Sequence, residues 1–296
     1  MKRWHVLIAF ITGLVLFLSA CGTSSHHPDP TVNLTEGNAR ELSKLALEGQ
    51  GHLLNMLPDS AGASLKLSSG HNLPKQLVGL LPQRGLTTLE EETCISFEGD
   101  LTDTDLDEIP VAAKAVFDCA FSEDGSDMTI TGSAYFQDAD DQDVLSGYAI
   151  RFEDFVTTES KDGQMSRLEL DQSFILAIDE LKSLYVIEND LELNATTAEG
   201  SFSYSELATL GYAPDDVAVP FVAGTFALNS VTTWQSGTDV YQLTGIAPAL
   251  HYSATCESGF DAGTIAYEDN AGNSLGLVYN ACNNVTVLYN GSSIAQ

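Results

Sequence analysis

Positive charge is what this chain has least of. Its 296 residues carry 12 Lys and Arg against 42 Asp and Glu, a formal net charge of −30. Beyond Lys182 there is no Lys or Arg, while twelve acids follow between Ser183 and Gln296. Such a surface repels phosphate backbones and bare anionic headgroups, which excludes nucleic acid as a partner and electrostatic adhesion to a membrane. Sequence signatures of chemistry are also sparse. There is no HExxH and no CxxC, and no glycine-rich phosphate loop follows a strand. The histidines that could serve a folded part are His52, His71 and His251. His251, beside Tyr252 in a strand pattern, reads as a residue of a solvated face rather than a general base. Acid pairs are so abundant that two of them at a glycosidase separation would mean nothing. The expectation is a protein that is not an enzyme.

Only one long apolar run exists, Val6 to Leu18, behind the cationic head Met1-Lys2-Arg3-Trp4-His5. As a helix it would reach roughly 20 Å at about 1.5 Å per residue, short for a bilayer span. A basic start, a short apolar stretch and small residues at its end are the marks of an export signal. The closing Leu18-Ser19-Ala20-Cys21 resembles the lipobox of bacterial lipoproteins. That resemblance implies cleavage before Cys21, acylation of its sulfur, and a mature protein held on a membrane by lipid. Gly22, where an aspartate would signal retention, implies sorting to the outer membrane, facing the periplasm or the cell surface. Acyl chains contribute about 0.8 kcal/mol per buried CH₂, enough for stable anchoring when several are present.

Four cysteines remain, Cys94, Cys119, Cys256 and Cys282. In an oxidising compartment they read as two disulfides, with three connectivities possible, of which the positions of the turns select one. Cys94 and Cys119 are centred on the acidic turn 103–108, and Cys256 and Cys282 on Asp269-Asn270-Ala271-Gly272, a hairpin signal. If each pair brackets a hairpin, each bond closes the open end of its own ribbon.

Four segments follow from composition and period: an export leader over 1–21, a flexible tether over 22–33, a helical preamble over 34–92, and an antiparallel β domain over 93–296. The tether is rich in Ser, His and Pro, and its neighbouring His26 and His27 read as solvated spacer. Asn33 and Glu36 have the spacing of a helix cap, and Leu34, Leu42, Leu45, Ala46, Leu53, Met56 and Leu57 recur at helical spacing. Gly49 and Gly51 weaken the middle, so the pattern predicts a helix over 36–48, a further turn or two to Leu57, and a stop at Pro58. After Thr93 the period becomes two, as in Met128, Ile130, Gly132, Ala134 and Phe136, or Val285, Val287 and Tyr289. About twelve strands in chain order predict an all-β fold, an antiparallel meander built as a sandwich, half-barrel or curved open sheet, with a short N-terminal helix. An outer-membrane barrel is excluded by the acidic non-core face.

The opening Leu34-Thr35-x-x-Asn38-Ala39 and the closing hairpin of Cys256, Gly263-Thr264-Ile265, Asp269-x-x-Gly272-Asn273 and Val278-Tyr279-x-x-Cys282 resemble a loose group of uncharacterised proteobacterial exported proteins. That likeness implies a β-rich fold and no activity. Two acidic stretches are candidates for calcium: Asp103, Asp105 and Asp107, and Asp138, Asp140 and Asp141. Neither is an EF-hand. Position six lacks glycine in both, and position twelve is Lys114 in one and Ala149 in the other. The sequence predicts a non-catalytic, lipid-anchored β domain of the bacterial envelope with a structural or interaction role and no cofactor. The alternatives are a carrier of a lipid or other apolar ligand, or an adhesive module that binds its partner when stabilised by calcium.

Overall fold

The computed structural model describes residues 29–55, 94–105, 109–123, 126–143, 146–161, 164–179, 183–197, 200–256 and 258–294. Within them the chain forms one helix, α1 (Glu36–Asn55), and thirteen strands. The strands are β1 (Ile95–Asp100), β2 (Ala112–Glu123), β3 (Ser126–Asp138), β4 (Gly147–Lys161), β5 (Gln164–Ile178), β6 (Tyr185–Thr197) and β7 (Gly200–Pro214). They continue as β8 (Ala223–Ser236), β9 (Asp239–Ser253), β10 (Phe260–Asp269), β11 (Ser274–Ala281), β12 (Asn284–Tyr289) and β13 (Ser292–Ser293). Each pairs antiparallel with its neighbour in the chain, and β1 and β13 are the two free edges of a single open sheet. The all-β meander predicted from the period is therefore the fold, as one sheet rather than the two of a sandwich.

One face of this sheet is buried. Phe117 of β2, Ile130 of β3, Ile150 of β4, Phe174 of β5, Ile187 of β6 and Leu210 of β7 belong to a single apolar cluster that runs on to Val287 of β12. The alternation is broken where the strands bend. At Gly132, φ is 120°, and a Cβ there would stand 2.6 Å from the Asp154 carbonyl oxygen across the pair. Asp154 opposite is itself left-handed, with φ 49°. The resulting bulges in β3 and β4 bring both Phe152 and Phe155 to the buried face, ring edge against ring at 5.7 Å. Near the far ends of β6 to β8, Tyr212 stacks on Phe226 at 4.3 Å, and Phe221 of the connecting loop meets Tyr185 at 5.0 Å.

Helix α1 starts and ends close to where the sequence predicts, but it is one continuous helix that runs through Gly49 and Gly51 to Asn55. A mid-helix glycine costs about 1 kcal/mol, and the tertiary contacts of Gln50 between the two offset that cost. Gln50 Nε2 donates to Tyr267 Oη at 2.9 Å, and Tyr279 Oη donates to Gln50 Oε1. The cap lies two residues later than predicted. Thr35 N donates to Asn38 Oδ1 at 2.7 Å and Asn38 N to Thr35 Oγ1 at 3.3 Å, so the reciprocal pair is Thr35 and Asn38. Leu34 and Leu42 are buried and Ala46 packs against the core; Leu53 has no described side chain, and Met56, Leu57 and Pro58 lie outside the described residues.

The tether ends sooner than its composition implies. Thr31 N and Val32 N both donate to the Val240 carbonyl, and Val240 N donates to Thr31 Oγ1 at 2.9 Å. Leu34 N then donates to Asp269 Oδ2 at 2.7 Å. The residues before the helix are therefore pinned across the strand ends that hold β9 and β10.

Candidate functional site

Alternate hairpin loops of a meander lie at the same end of the sheet, so the loops after β1 and β3 are neighbours. The two acidic stretches meet there. Carboxylate oxygens of Asp103, Asp105 and Asp141 all come within 4.8 Å of one another. Thr104 N donates to Asp141 Oδ1 at 2.8 Å and so ties one loop to the other. Asp138 and Asp140 do not join them. Asp138 Oδ1 accepts from Ser146 Oγ at 3.0 Å, and Asp140 Oδ1 from Gln142 N at 3.2 Å, bonds within their own turn. Asp107 lies outside the described residues. Calcium takes six to eight oxygens at about 2.3–2.6 Å, so three carboxylates at this spacing would supply a minority of its shell, with backbone carbonyls and water as the rest. The donor set, oxygen only and half-exposed, fits a hard divalent cation.

A second polar group was not anticipated from the sequence: a belt across the buried face. Gln172 of β5 is opposite Leu191 of β6, which is opposite Glu206 of β7, which is opposite Thr232 of β8. The adjoining row holds Asn189, Ala208, Ser230, Gly245 and Tyr267. Gln172, Asn189, Glu206 and Ser230 are all buried. Gln172 Nε2 donates to Asn189 Oδ1 at 2.8 Å. Burial pushes the Glu206 carboxyl up to about 7, although the adjacent Asn189 amide and Tyr204 hydroxyl act to lower it. Burial first, and then the negative charge of Glu206, raise the Tyr267 phenol. Gly245 makes room for this contact, since a Cβ there would fall 2.5 Å from Ser230 Oγ and 2.7 Å from the Tyr267 ring. Every second position of a strand can read as core, and isolated polar residues such as Asn189 and Gln172 did not stand out from the wet-face pattern around them.

On the opposite face, His251 of β9 lies between two carboxylates. Nδ1 is 2.6 Å from Asp261 Oδ1, and Nε2 is 3.2 Å from Asp215 Oδ2. The Asp261 hydrogen bond is the main cause that raises its pKa, opposed by partial burial and assisted by Asp215. The solvated face predicted for His251 is where it stands. With both ring nitrogens already engaged by acids, it is arranged as an ion-pair centre.

A serine-hydrolase GxSxG is not expected of this sequence, yet the pentapeptide Gly272-Asn273-Ser274-Leu275-Gly276 has that spacing. A nucleophile elbow needs a strand, a sharp turn and then a helix. Here the serine opens β11 of a hairpin, and its N–H donates to Asn290 Oδ1 at 2.8 Å. The cysteines pair as Cys94 with Cys119 and Cys256 with Cys282, at Cα separations of 4.8 and 5.3 Å. Each closes the open end of one hairpin, β1–β2 and β10–β11. Cys21 lies outside the described residues. No protein-family model, curated protein or solved structure matches the chain.

Proposed function

We propose that the protein is a non-catalytic β domain of the bacterial envelope, held to the outer membrane by lipid on Cys21, with a structural or partner-binding role. One observation carries this reading. Both disulfides close hairpins of the folded domain, and such bonds persist in an oxidising compartment outside the cytoplasm. The leader Met1 to Ala20 and the lipobox ending in Cys21 supply the route and the grip. Growth with labelled palmitate tests the anchor. The wild-type chain is expected to carry label in the membrane fraction, and Cys21→Ser to lose both label and membrane retention. Equal labelling of the two chains refutes lipidation at this residue.

A second reading, a module that binds its partner when calcium stiffens it, is favoured by the convergence of Asp103, Asp105 and Asp141 from two loops. At millimolar calcium the melting temperature is expected to rise relative to chelator, and Asp141→Asn to abolish the rise. Identical melts with calcium and with chelator dismiss this reading. The carrier that would exchange its helix for an apolar ligand is less favoured, because Gln50 fixes α1 to Tyr267 and Tyr279 through polar bonds.

A further inference from the structure

We propose that Glu206 is a proton-operated latch for helix α1: while its carboxyl is neutral the buried face stays closed beneath the helix, and ionisation favours opening of the helix at Tyr267 and Gln50. This goes beyond the anchored-domain reading and does not depend on it.

Glu206 has no cation to pair with. It is 8% exposed, on the buried face of β7. Strands β6 to β10 all follow Lys182, the last Lys or Arg of the chain, so none of them can supply one. His251 is on the opposite face, engaged by Asp261 and Asp215. The groups beside the carboxyl are neutral: the Asn189 amide of β6 and the Tyr204 hydroxyl of β7, with Thr232 of β8 bonded to Tyr204 in turn. Tyr204 and Tyr267 are the titratable groups that face it among the described residues. Neutral donors hold a carboxylate less firmly than a cation does, and an unpaired buried charge is costly. The proton is therefore kept to about pH 7.

Tyr267 links this carboxyl to α1. Its ring lies against Gly245 of β9, where a Cβ would stand 2.7 Å from the ring and 2.5 Å from Ser230 Oγ, so the ring reaches across β9 toward β8. The negative charge of Glu206 acts on its phenol. The same phenol oxygen accepts from Gln50 Nε2 at 2.9 Å, while Tyr279 Oη donates to Gln50 Oε1. A carboxylate formed here regains hydration only where its cover moves. The strands around it are tied by continuous backbone ladders. This turn of α1 is bonded to the sheet through the amide of one residue, between two glycines that weaken the helix. The helix is therefore the part that yields.

Limited trypsin digestion of the full chain reads the opening, because Arg40 and Lys44 are the only Lys or Arg of α1 and both are exposed. Cleavage at these two residues is followed by mass spectrometry, relative to Glu206→Gln in the same buffer. From pH 5.5 to 8.5 that ratio is expected to rise at least roughly tenfold, because the proton is held to about pH 7 in the closed state and only to the ordinary 4.5 in the open one. His251→Asn is expected to keep the rise. Tyr267→Phe, which removes the bond to Gln50, is expected to raise cleavage already at pH 5.5 and to flatten its dependence on pH. Should the glutamine variant fail to fold, calorimetric unfolding of His251→Asn at pH 6, in buffers of different ionisation heat, is expected to show release of about one proton. A constant ratio, a rise abolished by His251→Asn, an equally steep rise in Tyr267→Phe, or unfolding without proton release overturns the proposal.

Discussion

Between Ser183 and the C-terminus, His251 is the one side chain able to carry a positive charge near neutral pH. The fold spends it between Asp261 and Asp215, joining β9 to β10 and to the loop that follows β7. Its folded pKa is raised above the unfolded value near 6.5, so protonation and folding favour each other. The stabilisation is therefore complete below about pH 6.5 and is lost as pH rises through the folded pKa. The imidazole is partly solvent-exposed, and exposed pairs contribute little, so the effect is small: His251→Asn is expected to lower the melting temperature by about 1–3 °C at pH 5.5. At pH 8.5 the two chains should melt together. A difference that is the same at both values would show that packing, not charge, is what the ring provides. Asp269 obeys the opposite sign. Burial works to raise its carboxyl, but hydrogen bonds from Asn273, Leu34 and Ala271 outweigh it and hold the group low. Its contribution is present above the ordinary carboxylate range and is lost as pH falls through the lowered value.

At the level of the element, the two hairpins that carry disulfides are the ones whose pairing matters most at the margins of the sheet. The β1–β2 ribbon is one edge, and β10–β11 stands next to the short strands that form the other. Each bridge closes a loop of about 25 residues, which restricts the unfolded chain by about 3 kcal/mol. Cys256→Ser is expected to free a single thiol, located at Cys282 by alkylation and peptide mapping, and to leave Cys94 and Cys119 unreactive. Alkylation of either of these two would show that the bridges exchange. The N-terminal segment, bonded to Val240 of β9 and Asp269 of β10, is likewise secured by few groups. Asp269→Ala removes the acceptor for Leu34 N and the organiser of its own turn, through Ala271 N and Asn273 N. A loss of about 2–3 kcal/mol is expected from bonds to a charged acceptor, read by urea denaturation. An unchanged midpoint would mean that Leu34 and α1 are held by their apolar contacts alone.

For the molecule as a whole, the charge balance is the dominant feature. A net charge of −30 repels itself in the folded state more than in the expanded one, because folding brings the acids closer. Monovalent salt screens this over about 10 Å at 0.1 M. The melting temperature is therefore expected to rise by several degrees between low salt and about 0.5 M sodium chloride. A flat or falling response would locate the stability in ion pairs instead. Calcium at matched ionic strength separates screening from occupation of the Asp103, Asp105 and Asp141 group.

The sequence by itself determined the all-β class and the within-hairpin pairing of the cysteines, because both are local. A period of two is written along each strand, and cysteines centred on a turn signal are brought together by the turn. It also located the helix start at Glu36, with the capping pair two residues off, and put His251 on the solvated face. What only the tertiary structure decided depends on residues far apart in the chain. Gln50 carries α1 through two glycines because Tyr267 and Tyr279, more than 200 residues on, accept and donate to it. Asp103 and Asp141 become one acidic group because loops of alternate hairpins share an end of the sheet. Gln172, Asn189, Glu206 and Ser230 form a belt because the register of four strands aligns them. Register sums the lengths and bulges of every intervening strand, and the bulges at Gly132 and Asp154 arise from backbone contacts across a pair that no local stretch of residues contains.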